Sequence, residues 1–265
     1  MQAPVFIDIR GGTSTVVDAT ASGRQEGSTP ATGLIDHVTG GERVVILAGG
    51  FGSGKTEIAA NLALFWAATG QDVILVDADN VSPLFRSREL AQELSEGGVR
   101  LVAPPEAMIT ADLPVFSAEV YGALQSRDKK VVLDVGGNDW GARILGSLKD
   151  QLDRSGYRGL YVINSRRPFS STLDEIERGF SEISASARIS FQGLVSNTNL
   201  GENTAMDDVL KGHRLVQRAS QALGLPVVSL VVNQRLAEEV LGLDSLVEPG
   251  PVFVIERRML APWER

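Results

Sequence analysis

The chain has 265 residues, with 25 Lys and Arg against 33 Asp and Glu, a formal net charge of −8, and no cysteine. That length suits one large α/β domain, and the lack of cysteine excludes disulfide scaffolds, iron–sulfur clusters and thiolate metal sites. The acidic balance weighs against nucleic-acid binding, which feeds on phosphate neutralisation, and no apolar run nears the ~18 residues of a membrane-spanning helix. The first residues, Met1 to Arg10, carry Asp8 and lack the basic start and long apolar core of a secretory signal. A cytoplasmic protein is expected, with no membrane contact.

In chain order, Val5–Ile9 and Thr15–Val17 flank Gly11-Gly12 and predict a β-hairpin on a sheet edge. The stretch Ala21–Gly33, rich in Gly, Ser, Thr and Pro, reads as a loose linker. Residues 1–40 are therefore expected as an N-terminal extension, and 41–265 as the main domain. From Arg43 onward, short β-branched runs alternate with amphipathic stretches of helical length. The runs are Val44–Leu47, Val73–Val76, Val99–Ala103, Val131–Val135, Leu160–Ile163, Phe191–Val195, Val227–Val232 and Val252–Ile255. Most are continuously apolar, as strands buried on both faces of a parallel sheet are. Helices are expected over Thr56–Ala68, Ala118–Gln125, Asp139–Leu152, Leu173–Ser184 and Ala205–Leu223. Thr172 and Glu175 have capping-box spacing, and Gly224 with Pro226 closes the helix before them. The pattern predicts an α/β, doubly wound, mostly parallel sheet of about seven or eight strands built from right-handed crossovers.

Gly49-Gly50-Phe51-Gly52-Ser53-Gly54-Lys55-Thr56 fits G-x-x-x-x-G-K-[ST] between a strand and a helix. The glycines let backbone N–H groups of Gly50 through Glu57 turn inward around a phosphate, and the helix N-terminus adds positive potential. Lys55 would reach the β- and γ-phosphates of a nucleotide, and the Thr56 hydroxyl would ligate Mg²⁺. A plain glycine turn explains the Gly residues but not the Lys-Thr pair.

Phosphoryl chemistry also needs carboxylates. Asp134 ends the run Val131-Val132-Leu133, and Gly137 follows at D-x-x-G spacing, where a backbone N–H can meet a γ-phosphate. Asp77 and Asp79 follow Val73–Val76. Asp77 would hold Mg²⁺ and Asp79 would orient the attacking water. Asp residues after strands also cap the next helix, and that reading stays open for all three.

The phosphate loop, Asp77-Ala78-Asp79 with Pro83, and Asp134-Val135-Gly136-Gly137 occur in an order that resembles the MinD/ParA/CobQ/CobB group of SIMIBI-class P-loop ATPases. The resemblance covers Arg43 to the C-terminus. It implies Mg·ATP binding, Asp79 as the residue that activates water, Asp134 as the Walker B metal residue, and in many members a nucleotide-sandwich homodimer. Gly50 stands where ParA- and MinD-like members carry a second, signature lysine. In that respect the loop is similar to those of nickel-insertion GTPases.

The strand end Ser196-Asn197-Thr198-Asn199-Leu200 lacks the Lys and Asp with which GTPases read guanine. The Asn197 amide, both donor and acceptor, suits an adenine edge; Asn197 and Asn199 read equally well as turn residues. Arg86 and Arg88 lie where a switch would follow Asp79, and serve either the γ-phosphate or solvent-facing pairs. His37 and His213 are too few and too far apart in sequence to suggest a metal cluster, and His213, in the helix Ala205–Leu223, reads as a surface or interface residue. The expected function is an ATP-hydrolysing switch acting on or maturing a partner protein. The alternatives are an ATP-dependent small-molecule ligase or kinase, such as a dethiobiotin-synthetase-like or cobyrinate-amidation-like enzyme, and a DNA-partitioning ATPase, which the net charge and Gly50 disfavour.

Overall fold

The structure is a computed structural model describing residues 4–9, 14–19, 30–78, 83–102, 118–137, 141, 145–242 and 250–259. Its strands are β1 (Val5–Asp8), β2 (Thr15–Asp18), β3 (Val44–Ala48), β4 (Asp72–Ala78), β5 (Val99–Val102), β6 (Lys129–Val135), β7 (Arg158–Ile163), β8 (Gly193–Ser196), β9 (Val227–Asn233) and β10 (Val252–Ile255). Its helices are α1 (Pro30–Thr39), α2 (Lys55–Ala68), α3 (Pro83–Glu96), α4 (Ala118–Gln125), α5 (Lys149–Ser155), α6 (Leu173–Ala187), α7 (Met206–Leu223) and α8 (Ala237–Leu241).

All eight apolar runs join one sheet, and the N-terminal hairpin raises it to ten strands in the order β2-β1-β10-β9-β8-β7-β3-β6-β4-β5. β3 through β10 pair in parallel, while β1 runs antiparallel to β2 and β10. The unbroken apolar runs have the cause expected of them: every residue of β3 is buried, because helices cover both faces. On one face α1, α2 and α3 pack against Val45, Leu47, Leu75 and Val132. On the other, α4 through α7 pack against Ile46, Ile74, Val131 and Leu133.

Three local differences from the expected elements have clear causes. Helix α1 begins inside the stretch read as linker, with Pro30 suiting a first helical position. Its Ala31, Leu34, Ile35 and Val38 form a buried stripe, and Gly40 and Gly41, at φ 66° and 73°, end it. The helix expected over Asp139–Leu152 lies partly outside the described residues; its described part turns at Leu148, and α5 runs on to Ser155. Phe191 and Gln192 precede β8, where the Gln192 side chain accepts from Gly159 N and its own N–H donates to Gly159 O at 2.8 Å. The capping box forms as expected at Thr172 and Glu175, and Gly224 takes the left-handed conformation that ends α7.

Helix α2 is buried almost all round, from Lys55 to Trp66. It touches β4 and β6 and also β10, five places from β6 in the sheet. A flat sheet would hold β6 and β10 about 24 Å apart, so the twist brings the β10 edge around the helix. Phe65 of α2 meets Phe6 of β1 and Phe253 of β10 edge-on, at centroid distances of 5.0 and 6.5 Å. A helix enclosed in this way reads as apolar throughout instead of amphipathic.

Candidate functional site

The loop from Gly49 to Gly54 joins β3 to α2. Gly49, Gly52 and Gly54 have φ of 146°, 71° and 90°, which side chains rarely adopt. A Cβ on Gly49 would lie 2.3 Å from the Val162 carbonyl oxygen, and one on Gly54 would lie 2.2 Å from Asn197 Nδ2. Both glycines are thus required by conformation and by close approach. Gly50 is different, because a Cβ there would meet nothing within 4 Å. The loop curls so that Ser53 N donates to Gly50 O at 3.2 Å, and Lys55, only 6% exposed, folds its Nζ onto the same carbonyl at 3.0 Å. The Ser53 hydroxyl is buried with no hydrogen-bond partner among the described residues. An ammonium turned into a glycine loop at a helix N-terminus forms a cradle for an anion.

The carboxylates stand beside it. Asp77 on β4 and Asp134 on β6 are register partners, and Leu47 of β3 is the partner of Asp134 on its other side. Leu47, Leu75 and Val132 belong to the core on the α2 face. Strand alternation therefore puts Asp77 and Asp134 on that face, level with the end of β3 where the loop starts. Asp134 is buried and Asp77 partly so. With Thr56 in the first turn of α2, these are hard oxygen donors of the kind Mg²⁺ takes. Among the described residues no group of three or more His, Cys, Asp or Glu forms a denser metal site. Gly137 presses on the loop itself: a Cβ there would sit 2.6 Å from Phe51 N, 2.7 Å from Gly50 C and 2.9 Å from Gly49 O. Asp79 lies outside the described residues, as do the side chains of Arg86 and Arg88.

Two neighbouring loops hold the cradle from outside. Asn197 Nδ2 donates to Ser53 O at 2.7 Å, so this buried amide braces the loop backbone. Arg167 Nε donates to Gly52 O at 3.1 Å. Both loops are pinned by Asn164, at the end of β7 and fully buried. Its Oδ1 accepts from Arg166 N at 3.0 Å and Asn199 N at 3.2 Å, and its Nδ2 donates to Asn199 O at 3.0 Å. Helix α7 seals the rear, where a Cβ on Gly212 would lie 2.0 Å from Thr198 Oγ1.

Glu57 turns away from the loop. Its carboxylate accepts Arg258 N at 3.1 Å and Met259 N at 2.6 Å; burial pushes its pKa up, and these two bonds pull it back. One turn on, the buried Asn61 accepts Glu256 N at 3.1 Å and donates to Glu256 O at 3.0 Å. The Arg258 guanidinium, 1% exposed, reaches Glu93 of α3 and Glu256. Residues 256–259 thus form a strap across α2. The strap, Asn61 and Asn164 are missing from the sequence reading. Asn164 carried the signal of a polar residue closing an apolar strand, but the strap links residues about two hundred apart and has no local signature. Two aromatics stand exposed: Phe51, at the mouth of the loop, at 69%, and Phe169, two residues past Arg167, at 84% with φ 65°. His213 is instead buried in α7, and desolvation lowers its pKa to about 4.

Residues 44–246 match the CobQ/CobB/MinD/ParA nucleotide binding domain. A comparison with curated proteins gives no match. Among solved structures, the chain is similar to FtsY from Mycoplasma mycoides (19% identity, TM-score 0.48, covering 71% of this chain and 59% of that one). It is also similar to the cell division protein FtsY from Thermotoga maritima (21%, 0.48, covering 71% and 61%). A third is the signal recognition particle 54 kDa protein from Aeropyrum pernix in complex with GDP (20%, 0.46, covering 69% and 40%). The chain therefore spans about three fifths of the length of the FtsY structures it matches.

Proposed function

The chain belongs to the CobQ/CobB/MinD/ParA nucleotide-binding domain family, within the SIMIBI-class P-loop NTPases, and from that membership we propose that it is a Mg·ATP-hydrolysing switch acting on a partner protein. The observation that carries the reading is Lys55, turned inward onto Gly50 O in a loop braced on its outer side, with Asp77 and Asp134 in register on the same face as α2. Backbone amides from Gly50 to Thr56 take the β-phosphate, Lys55 exchanges the Gly50 carbonyl for phosphate oxygens, and the Gly137 N–H meets the γ-phosphate. Thr56 and Asp134 would hold Mg²⁺, with Asp77 beside them; the ion supplies charge neutralisation on the β- and γ-oxygens. Asp79 orients the attacking water. Asn197-Thr198-Asn199-Leu200 offers no carboxylate to guanine N1 and N2, which favours adenine. The exposed Phe51 and Phe169, the latter at positive φ, support a protein partner docking at the mouth, whether another protein or a second copy of the chain. In this proposal residues 41–265 carry the activity, residues 1–40 are an accessory extension, and the setting is cytoplasmic.

Calorimetric titration with ATP and GTP in Mg²⁺ tests the base, and Lys55→Ala should abolish binding or turnover. Asp79→Asn should slow turnover more than it weakens binding, and that variant, loaded with ATP, should retain the partner. Unchanged ATPase activity in Lys55→Ala would remove the assignment. Phosphate release that requires a small carboxylate or amine would point to the ligase or kinase instead.

A further inference from the structure

We propose that Arg167 is a positioning residue for the phosphate loop, set by Asn164, that fixes the Gly52–Ser53 peptide before a nucleoside di- or triphosphate arrives. For its ligand the inference rests on the nucleotide reading above; the strut itself rests on geometry. Beyond the bond from Nε to Gly52 O at 3.1 Å, a Cβ on Gly52 would lie 3.2 Å from Arg167 Nε and 3.3 Å from its Cδ, so the side chain lies flat against that glycine. In a trans peptide the carbonyl and the next N–H point in opposite directions. Holding the Gly52 carbonyl outward turns the Ser53 N–H inward, and there it meets Gly50 O at 3.2 Å, the carbonyl that Lys55 Nζ also holds. One external guanidinium therefore governs the direction of an amide inside the cradle.

The strut is anchored. Arg167 N donates to Asn164 O at 3.1 Å, and Ser170 Oγ donates to the same oxygen at 2.7 Å, which closes the turn that carries the arginine. Through its side chain the same Asn164 grips Asn199, so the loops bearing Arg167 and Asn197 form one assembly and brace the successive carbonyls of Gly52 and Ser53. Among the described residues Gly52 O is the only partner of the Arg167 guanidinium. Such an arrangement is expected of a group whose work is to orient a ligand cradle, because one exposed hydrogen bond adds little to fold stability.

The test compares Arg167→Met and Arg167→Lys with the parent. Two measurements are made: binding of ADP and of a non-hydrolysable ATP analogue, and amide hydrogen exchange of residues 49–56 without nucleotide. Arg167→Met should bind both nucleotides about three- to tenfold more weakly and by the same factor, since the amide concerned serves a phosphate common to both. Ser53 exchange should quicken, the thermal midpoint should hold, and Arg167→Lys should recover part of both effects. Unchanged Ser53 exchange overturns the strut. So does a uniform rise in exchange across residues 164–172 with a lowered midpoint, which would make Arg167 a plain structural contact. Faster Ser53 exchange in Arg167→Met, together with a parent that binds no nucleotide, upholds the strut and removes the nucleotide reading.

Discussion

Gly137→Ala puts the junction between the Gly49–Gly54 loop and the segment that follows β6 under direct test. The new methyl would sit 2.6 to 2.9 Å from Phe51 N, Gly50 C and Gly49 O, all of them backbone atoms that no rotamer change can move aside. Comfortable carbon contacts lie near 3.5 Å, so the two segments must part by roughly 0.6–0.9 Å. Overpacking of this kind costs about 1–3 kcal/mol, a fall of about 2–10 °C in thermal midpoint for a chain of this size. The displaced amides would lose about one hydrogen bond to phosphate, or about tenfold in nucleotide affinity. Gly50→Ala is the matched control for stability, because its Cβ meets nothing within 4 Å and its φ is not positive. Differential scanning calorimetry and nucleotide titration on both variants decide the matter. If Gly137→Ala melts with Gly50→Ala and binds nucleotide as the parent does, the two segments do not touch and the proposed γ-phosphate contact fails.

Removing the clamp on the strap with Asn61→Ala should cost about 2–4 kcal/mol in urea unfolding, since it strands the Glu256 N–H and carbonyl against a buried helix; a loss under 0.5 kcal/mol would contradict the contact. His213, neutral and buried with a pKa near 4 against an ordinary 6.5, makes stability fall with acid. Below pH 6.5 the unfolded chain takes up a proton that the folded chain refuses until about pH 4, a loss of up to about 3 kcal/mol. Glu57 acts in the opposite sense, because its raised pKa lets the folded chain take a proton first as pH falls. His213→Gln should therefore flatten the stability profile between pH 6.5 and 4, and an unaltered slope would count against a desolvated imidazole.

The legible part of this molecule was the part written in local pattern. Val44–Ala48 and its parallel neighbours are apolar on both faces, and Thr172 with Glu175 closes its capping box within four residues, so strands and caps could be read directly. The glycine loop was legible for the same reason: three positive φ angles, a lysine and a threonine fall within eight residues. Helix α1 escaped because Pro30 and Gly33 read as loop residues, while its stripe of Leu34, Ile35 and Val38 is too short to stand out. The Arg167 strut and the Glu57–Arg258 strap escaped for a deeper reason. Each pairs groups more than a hundred residues apart, and only the strand order brings them together. Asn197 shows a third case: residue type left it open between an adenine contact and a turn residue, and its bond to Ser53 O, beside Gly54, has no local signature.

The strap also bears on how the molecule is assembled at the ribosome. Glu57 and Met259 are separated by 202 residues, and Phe65 waits on Phe253 to complete its aromatic trio. A nascent polypeptide that has released β3 and α2 but not β10 therefore holds a glycine cradle on a helix with a bare flank and an unanswered buried acid. Enclosure of α2, and with it the firm seating of the glycine loop at its head, is therefore delayed until β10 joins the sheet.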